Sequence, residues 1–253
     1  IAGKTEAWST NFDLYRVPAD GSATPVNLTA DNPAWDSGPV FSADGRTLYY
    51  LAMKRPGFEA DRFALMEKNL PNGATREIAP DWDFSAGGIT LSADGKRIYT
   101  AADAAGQHPI HAIEIASGKA MRLPGEGQVE GFDLGGEALV FTRSTLGAPA
   151  QLFVARPDGG NVRQLSAFNA AALQDVRLGA YEQFSFAGWN GETVHGHVVK
   201  PWNAQPGEKY PVAFIVHGGP QGSMGNSFHY RWNPQTYAGA GFAVVFIDFH
   251  GST

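Results

Sequence analysis

The residues best placed to do chemistry stand together near the end of the chain, at His217-Gly218-Gly219-Pro220, directly after the apolar run Pro211 to Val216. A buried strand that empties into a glycine pair leaves backbone N–H groups free at the carboxyl edge of a sheet. There they can hold the negative charge that develops on a carbonyl oxygen. The chemistry implied is acyl transfer, with Gly219 as the amide that turns into a cleft and His217, Gly218 and Pro220 as supports of the loop. A nucleophile and a base within hydrogen-bond reach are needed as well. No Gly-x-Ser-x-Gly elbow occurs anywhere in the sequence. Ser252, in Gly251-Ser252-Thr253, lacks the glycine two residues before it and reads as a loop former. His217, followed by two glycines and facing no such serine, reads as a brace and not as a catalytic base. These residues alone therefore name a chemistry that they do not complete.

A second cluster, Arg55, Glu59, Asp61 and Arg62, occupies a long polar connection. One reading is a solvated loop whose ion pairs are worth little. The other assigns Glu59, Arg55 and Arg62 to substrate binding, with the Glu59 carboxylate taking a substrate's free α-amine in a charge-assisted hydrogen bond. The pairs His108/His111 and His195/His197 have the spacing of metal ligands. No cysteine accompanies them and no helix sets two histidines at i, i+4, so they read as strand residues. Neither a metal nor another cofactor is expected. With no cysteine among 253 residues, disulfides and thiolate catalysis are excluded. The net charge of -6, with scattered basic residues, argues against a nucleic-acid partner. No signal peptide is evident and no apolar run approaches the length of a membrane span, so no membrane partner is expected.

The elements that must position these residues fall into two textures. Up to about residue 177 a unit of roughly 40 to 50 residues recurs, the spacing of propeller blades. Phe41-Ser-Ala-Asp-Gly and Leu91-Ser-Ala-Asp-Gly open two copies, and Phe132-Asp-Leu-Gly-Gly opens a degenerate third. The Asp-Gly and Gly-Gly pairs supply the positive φ of tight hairpins. Partner hairpins run from Leu14 to Thr29, Leu65 to Ala79, Ile110 to Leu123 and Leu152 to Leu165. Two hairpins make a four-stranded blade, so residues 1–177 read as three to four blades of a partial β-propeller. From 178 to 253 the pattern changes. Trp189-Asn190-Gly191 marks a hairpin, and Pro211 to Val216 and Phe242 to Ile247 read as doubly buried parallel strands. Between them Asn233-Pro234 opens a short helix, which completes a βαβ crossover.

A propeller followed by Tyr210-Pro-Val-Ala-Phe-Ile-Val-His-Gly-Gly-Pro-Gln-Gly-Ser, then Arg231-Trp-Asn-Pro-Gln and Gly251-Ser-Thr, resembles the prolyl oligopeptidase superfamily of serine peptidases. Within it the combination is similar to the dipeptidyl-peptidase V and acylaminoacyl-peptidase branch. The resemblance implies that residues 178–253 are the N-terminal part of an α/β-hydrolase domain capped by the propeller. It implies a serine exopeptidase that releases dipeptides or acylated residues from small peptides through an acyl-enzyme. Gly219 would then share the oxyanion with the residue after the nucleophile, and the family order would put the catalytic serine, aspartate and histidine beyond Thr253. The partners implied are a small peptide substrate and the remainder of the same enzyme, and a homo-oligomer is compatible with it. The family-based compartment is periplasmic or secreted, with cytoplasmic as the alternative. Phe249-His250 stands where the family usually has Tyr-Arg or Pro-x, which leaves the role of His250 open. A different class of function, a propeller that binds peptides or proteins beside a non-catalytic scaffold, is also compatible with the fold.

Overall fold

The computed structural model describes residues 8–219 and 221–252; Pro220 lies outside them. Backbone contacts gather the chain into two units. One runs to Ala102 and includes His111–Arg122, and the other joins Asp103–Ile110 to Leu123 and beyond. This line differs from the change of texture at 177/178, because the last blade groups with the segment that follows it.

In the first unit β1 (Tyr15–Arg16) and β2 (Val26–Asn27) form an antiparallel pair. Then β3 (Asp36–Phe41), β4 (Thr47–Ala52), β5 (Ala64–Asn69) and β6 (Thr75–Glu77) make a four-stranded antiparallel meander. The meander repeats as β7 (Thr90–Leu91), β8 (Arg97–Ala101), β9 (Ile110–Glu114) and β10 (Ala120–Arg122). The matching Ser-Ala-Asp-Gly copies fold identically. Ser42 Oγ donates to Asp44 Oδ1 at 2.6 Å, Ser92 Oγ donates to Asp94 Oδ1 at 2.6 Å, and Gly45 and Gly95 both take φ +67°. The serine and aspartate therefore close the turn, and the glycine supplies the dihedral that L-residues avoid. Alternating residues face inward: Tyr49, Leu51, Leu65, Ile98 and Ile113 form one apolar core with Trp82. Each such burial stabilises by about 1.5–3 kcal/mol.

In the second unit β11 (Gln128–Gly135), β12 (Ala138–Thr145), β13 (Ala148–Ala155) and β14 (Arg163–Gln164) form a further antiparallel sheet. A single turn, α1 (Ala170–Leu173), follows. The last sheet holds β15 (Tyr181–Ala187), β16 (Thr193–Val199), β17 (Val212–Ile215) and β18 (Ala243–Asp248), in the order β15-β16-β18-β17. Asn190 (φ 57°) and Gly191 (φ 78°) turn the β15–β16 hairpin as the Asn-Gly signal predicts. β17 and β18 are parallel and joined through α2 (Pro234–Gly239), whose first turn is fixed by Pro234 and by Asn233 accepting from the Gln235 amide. Val199, Ala238, Val244 and Phe246 form the core of this sheet, and Leu146 from the β12–β13 turn packs into it.

Candidate active site

β17 delivers the chain to His217 at the carboxyl edge of the parallel pair. The His217 ring stacks on Phe249, beyond β18, with centroids 4.4 Å apart and planes 14° apart. Its Nδ1 lies 2.8 Å from the Gly218 carbonyl, and its Nε2 lies 2.9 Å from Ser252 Oγ. A carbonyl can only accept, so Nδ1 carries a proton, and the Ser252 hydroxyl can donate to Nε2. His217 therefore ties the ends of both parallel strands together. The serine–imidazole pair has no carboxylate on Nδ1, the group that would orient and stabilise an imidazolium. It has the form of a brace.

Gly219 adopts φ +142°, a region closed to most L-residues, and a Cβ there would meet the Gln221 backbone O at 2.7 Å and N at 2.8 Å. Gly218 has open space around it. The second glycine is thus the position where the loop geometry depends on having no side chain. A cavity of about 670 Å³ opens beside the loop; Gly218, His217, His229, Trp232, Tyr237 and Leu146 are among its lining residues, and Gly219 is not. Ser223, also on its wall, donates to Asp248 Oδ2 at 2.9 Å and ties the segment after the loop to β18. Burial pushes the Asp248 carboxyl up, against the Ser223 hydrogen bond and the nearby His217 and His195.

In the first unit, the 55–62 loop is braced by Asp61, whose Oδ2 accepts from the amides of Lys54 and Arg55 at 2.7 and 2.8 Å. Burial works to raise the Asp61 pKa, but the backbone donors outweigh it and hold it below the usual value. Arg62 donates to Glu77 at 2.6 Å and to the Trp82 carbonyl at 3.2 Å, and Arg55 lies over the Phe58 ring at 4.0 Å. Glu59 is exposed and, among the described residues, has no partner. Of the three residues assigned to substrate binding, Glu59 alone keeps its charge unengaged.

The histidine pairs sit in sheets or bridges. His108 contacts Asp103 at 2.7 Å, and His111 packs between Trp82 and Phe84. His197 is 2% exposed and stacks on Phe246. His250 pairs with Glu192 at 2.6 Å. Desolvation, reinforced by His195, lowers the His197 pKa from 6.5 to about 4. As pH falls, the unfolded chain therefore takes up this proton first. His197 imposes no penalty above pH 6.5; below that it erodes stability until about pH 4, by roughly 3 kcal/mol in all. Urea unfolding of the full-length protein should show His197→Leu gaining on the parent as pH drops from 7.5 to 4.5. A parent–variant difference that does not change with pH would refute this.

Sequence reasoning missed Gln107, Asn226 and Gln235, three buried amides that fix the loop's surroundings. Asn226 Oδ1 accepts from the Leu146 amide at 2.9 Å, and Gln235 Nε2 donates to the Leu146 carbonyl at 3.2 Å. The one available signal was Gln235 directly behind the helix-opening Asn233-Pro234, and it does not reveal an inward side chain.

A blade array that runs into a mixed sheet with a braced His-Gly-Gly loop defines a partial β-propeller followed by the N-terminal part of an α/β-hydrolase. No family model matches the chain. It is 32% identical to a probable dipeptidyl-peptidase 5 of Aspergillus clavatus, over 96% of this chain and 36% of the relative. It is 31% identical to dipeptidyl-peptidase 5 of Aspergillus fumigatus, with the same two coverages. Among solved structures, Pyrococcus horikoshii acylaminoacyl peptidase superposes with a TM-score of 0.76 at 21% identity, covering 95% of this chain and 36% of that one. Porphyromonas gingivalis dipeptidyl peptidase 4 gives 0.69 at 18% identity, covering 96% and 35%. The chain is thus similar to dipeptidyl-peptidase 5 along nearly all of its own length, and its fold is that of the acylaminoacyl peptidase and dipeptidyl peptidase 4 structures. It spans about 36% of the length of the curated relatives it matches.

Proposed function

We propose that this chain is the propeller-to-hydrolase stretch of a serine exopeptidase that removes dipeptides or acylated residues from the N-terminus of small peptides. The observation that carries the reading is the His217-braced loop that holds Gly219 at φ +142° on the carboxyl edge of a parallel strand pair. There the Gly219 N–H serves as one oxyanion donor, and the nucleophile, base and second donor come from the remainder of the enzyme. The test is turnover of chromogenic dipeptide and N-acyl-aminoacyl substrates by the full-length protein, together with covalent labelling by a fluorophosphonate. Peptide binding with neither turnover nor labelling would instead make the propeller a binding module.

Glu59 anchors the substrate's α-ammonium in this proposal. Its support is an unengaged carboxylate in a loop whose other charged residues, Arg55, Asp61 and Arg62, all have partners. Glu59→Gln is expected to weaken free-amine dipeptidyl substrates by about 1.5–3 kcal/mol and to leave N-acylated substrates nearly unchanged. Equal losses in kcat/KM on both substrate types would remove the anchor.

A further inference from the structure

Arg143 on β12 is a cation without an acid. Its guanidinium carbon lies 4.5 Å from the Phe153 ring centroid and 5.6 Å from that of Phe141, and the two rings stack at 5.5 Å. Among the described residues the guanidinium makes no ion pair and no hydrogen bond. Burial lowers its pKa, with no carboxylate acting against it. A side chain at Gly125 would collide with Nη1, so the head group is seated against bare backbone. A half-desolvated guanidinium with five unanswered donors is costly in a folded protein.

Arg143 lines a hollow of about 270 Å³, whose walls include Thr145, Gln151, Phe153, Gln164 and Asn169 and no aspartate or glutamate; on its Gly125 side it also lines a second, much smaller hollow, where Glu126 stands. Gln151 stands directly across the strand pair from Arg143. Its Oε1 already accepts from Ser166 Oγ at 2.7 Å and the Phe168 amide at 3.2 Å. That fixes the side chain and leaves its Nε2 donors unanswered among the described residues. Thr145 Oγ1 likewise accepts from the Gly147 amide at 3.2 Å and retains its own proton. The hollow therefore carries the donors of Arg143, Gln151 and Thr145 and no carboxylate, alongside the amide oxygens of Gln164 and Asn169, within a chain of net charge -6.

From this juxtaposition we infer that the hollow at Arg143 and Gln151 binds a carboxylate, in the form of the C-terminal carboxylate of a short peptide. A planar carboxylate matches the guanidinium fork, and the Phe153 ring holds that fork in one plane. The volume suits one terminal residue and is small for a nucleotide. Thr145, the last residue of β12, lines this hollow, and its neighbour Leu146 lines the cavity beside the His217 loop. The carboxylate chemistry stands on these residues alone; its assignment to a peptide terminus rests on the exopeptidase reading.

The test is calorimetric binding to the full-length protein of alanyl-phenylalanine and of its C-terminal amide, with acetate as competitor and turnover assayed separately. The free acid should bind about tenfold more tightly than the amide. Arg143→Gln should abolish the difference, and Arg143→Lys, which keeps charge and stem but not the fork, should reduce it severalfold. Acetate that competes at millimolar concentration, but more weakly than the dipeptide, assigns the site to a peptide terminus. Acetate as strong as the dipeptide keeps the carboxylate site and assigns it to small organic acids. Equal binding of acid and amide, or a preference that survives both Arg143 variants, overturns the inference. Failure of turnover alone bears on the exopeptidase reading and leaves the binding result to decide this one.

Discussion

Gly219→Ala in the full-length protein should lower kcat by roughly 10²- to 10³-fold, the cost of a lost oxyanion donor, while Gly218→Ala remains close to the parent. At Gly219 a methyl group meets the backbone O and N of Gln221 at 2.7 and 2.8 Å, and backbone atoms cannot rotate away as a side chain could. The residue also sits at φ +142°, where alanine is strained wherever its methyl points. The alanine keeps its N–H, but the loop must turn to hold it, and donation to an oxyanion depends on a few tenths of an ångström. Gly218 offers the control, since nothing lies within 4 Å of its added Cβ. KM should change less than kcat, because the interaction strengthens only as the oxyanion forms. Folded Gly219→Ala enzyme with full kcat, or equal damage from Gly218→Ala, would move the donor to another amide.

The same contrast shows what sequence can and cannot disclose. Ser42-Ala-Asp44-Gly45 and Ser92-Ala-Asp94-Gly95 were legible because each residue acts on neighbours within five positions, so the turn is written where it occurs. The βαβ crossover was legible for a related reason: apolar runs of strand length and the Asn233-Pro234 opening are local signals; the double burial expected of Pro211 to Val216 is not found, since Val212, Phe214 and Val216 are exposed and only the other face of β17 packs on the core. The loop's bracing was readable only in part. His217 stood next to its glycines, but its hold on Ser252 and Phe249 crosses more than thirty residues. The charged loop at 55–62 kept its pairings hidden in the same way, with Arg62 engaged by Glu77 and the Trp82 carbonyl on other elements. Arg143 carried no signal at all, since an unpaired arginine on a strand looks like any surface cation until its neighbours are known.

Asn226→Leu should destabilise the full-length protein by about 1–3 kcal/mol, chiefly from the buried Leu146 amide left without its acceptor. Asn226 is 2% exposed. Its Oδ1 satisfies the Leu146 amide at 2.9 Å, and its Nδ2 donates to Gln107 Oε1 at 3.2 Å, where the Gly127 amide also donates at 2.6 Å. Leu146 is the tip of the β12–β13 hairpin, sunk into the core with Val199, Val244 and Phe246, and water cannot replace the lost acceptor there. Gln235 holds the other side of the same residue through its carbonyl, and it also bonds both the N–H and the C=O of Gly179. The two amides clamp one residue between them, so their losses should not add. A double-mutant cycle of Asn226→Leu with Gln235→Leu should give a coupling of about 1 kcal/mol or more. Asn226→Asp separates the two bonds of Asn226, because it keeps an acceptor for Leu146 but sets a second oxygen against Gln107 Oε1. It should therefore fold but remain less stable than the parent. Stability equal to the parent in both Asn226 variants, read from urea midpoints at constant slope, would mean that apolar packing alone seats the hairpin in the sheet.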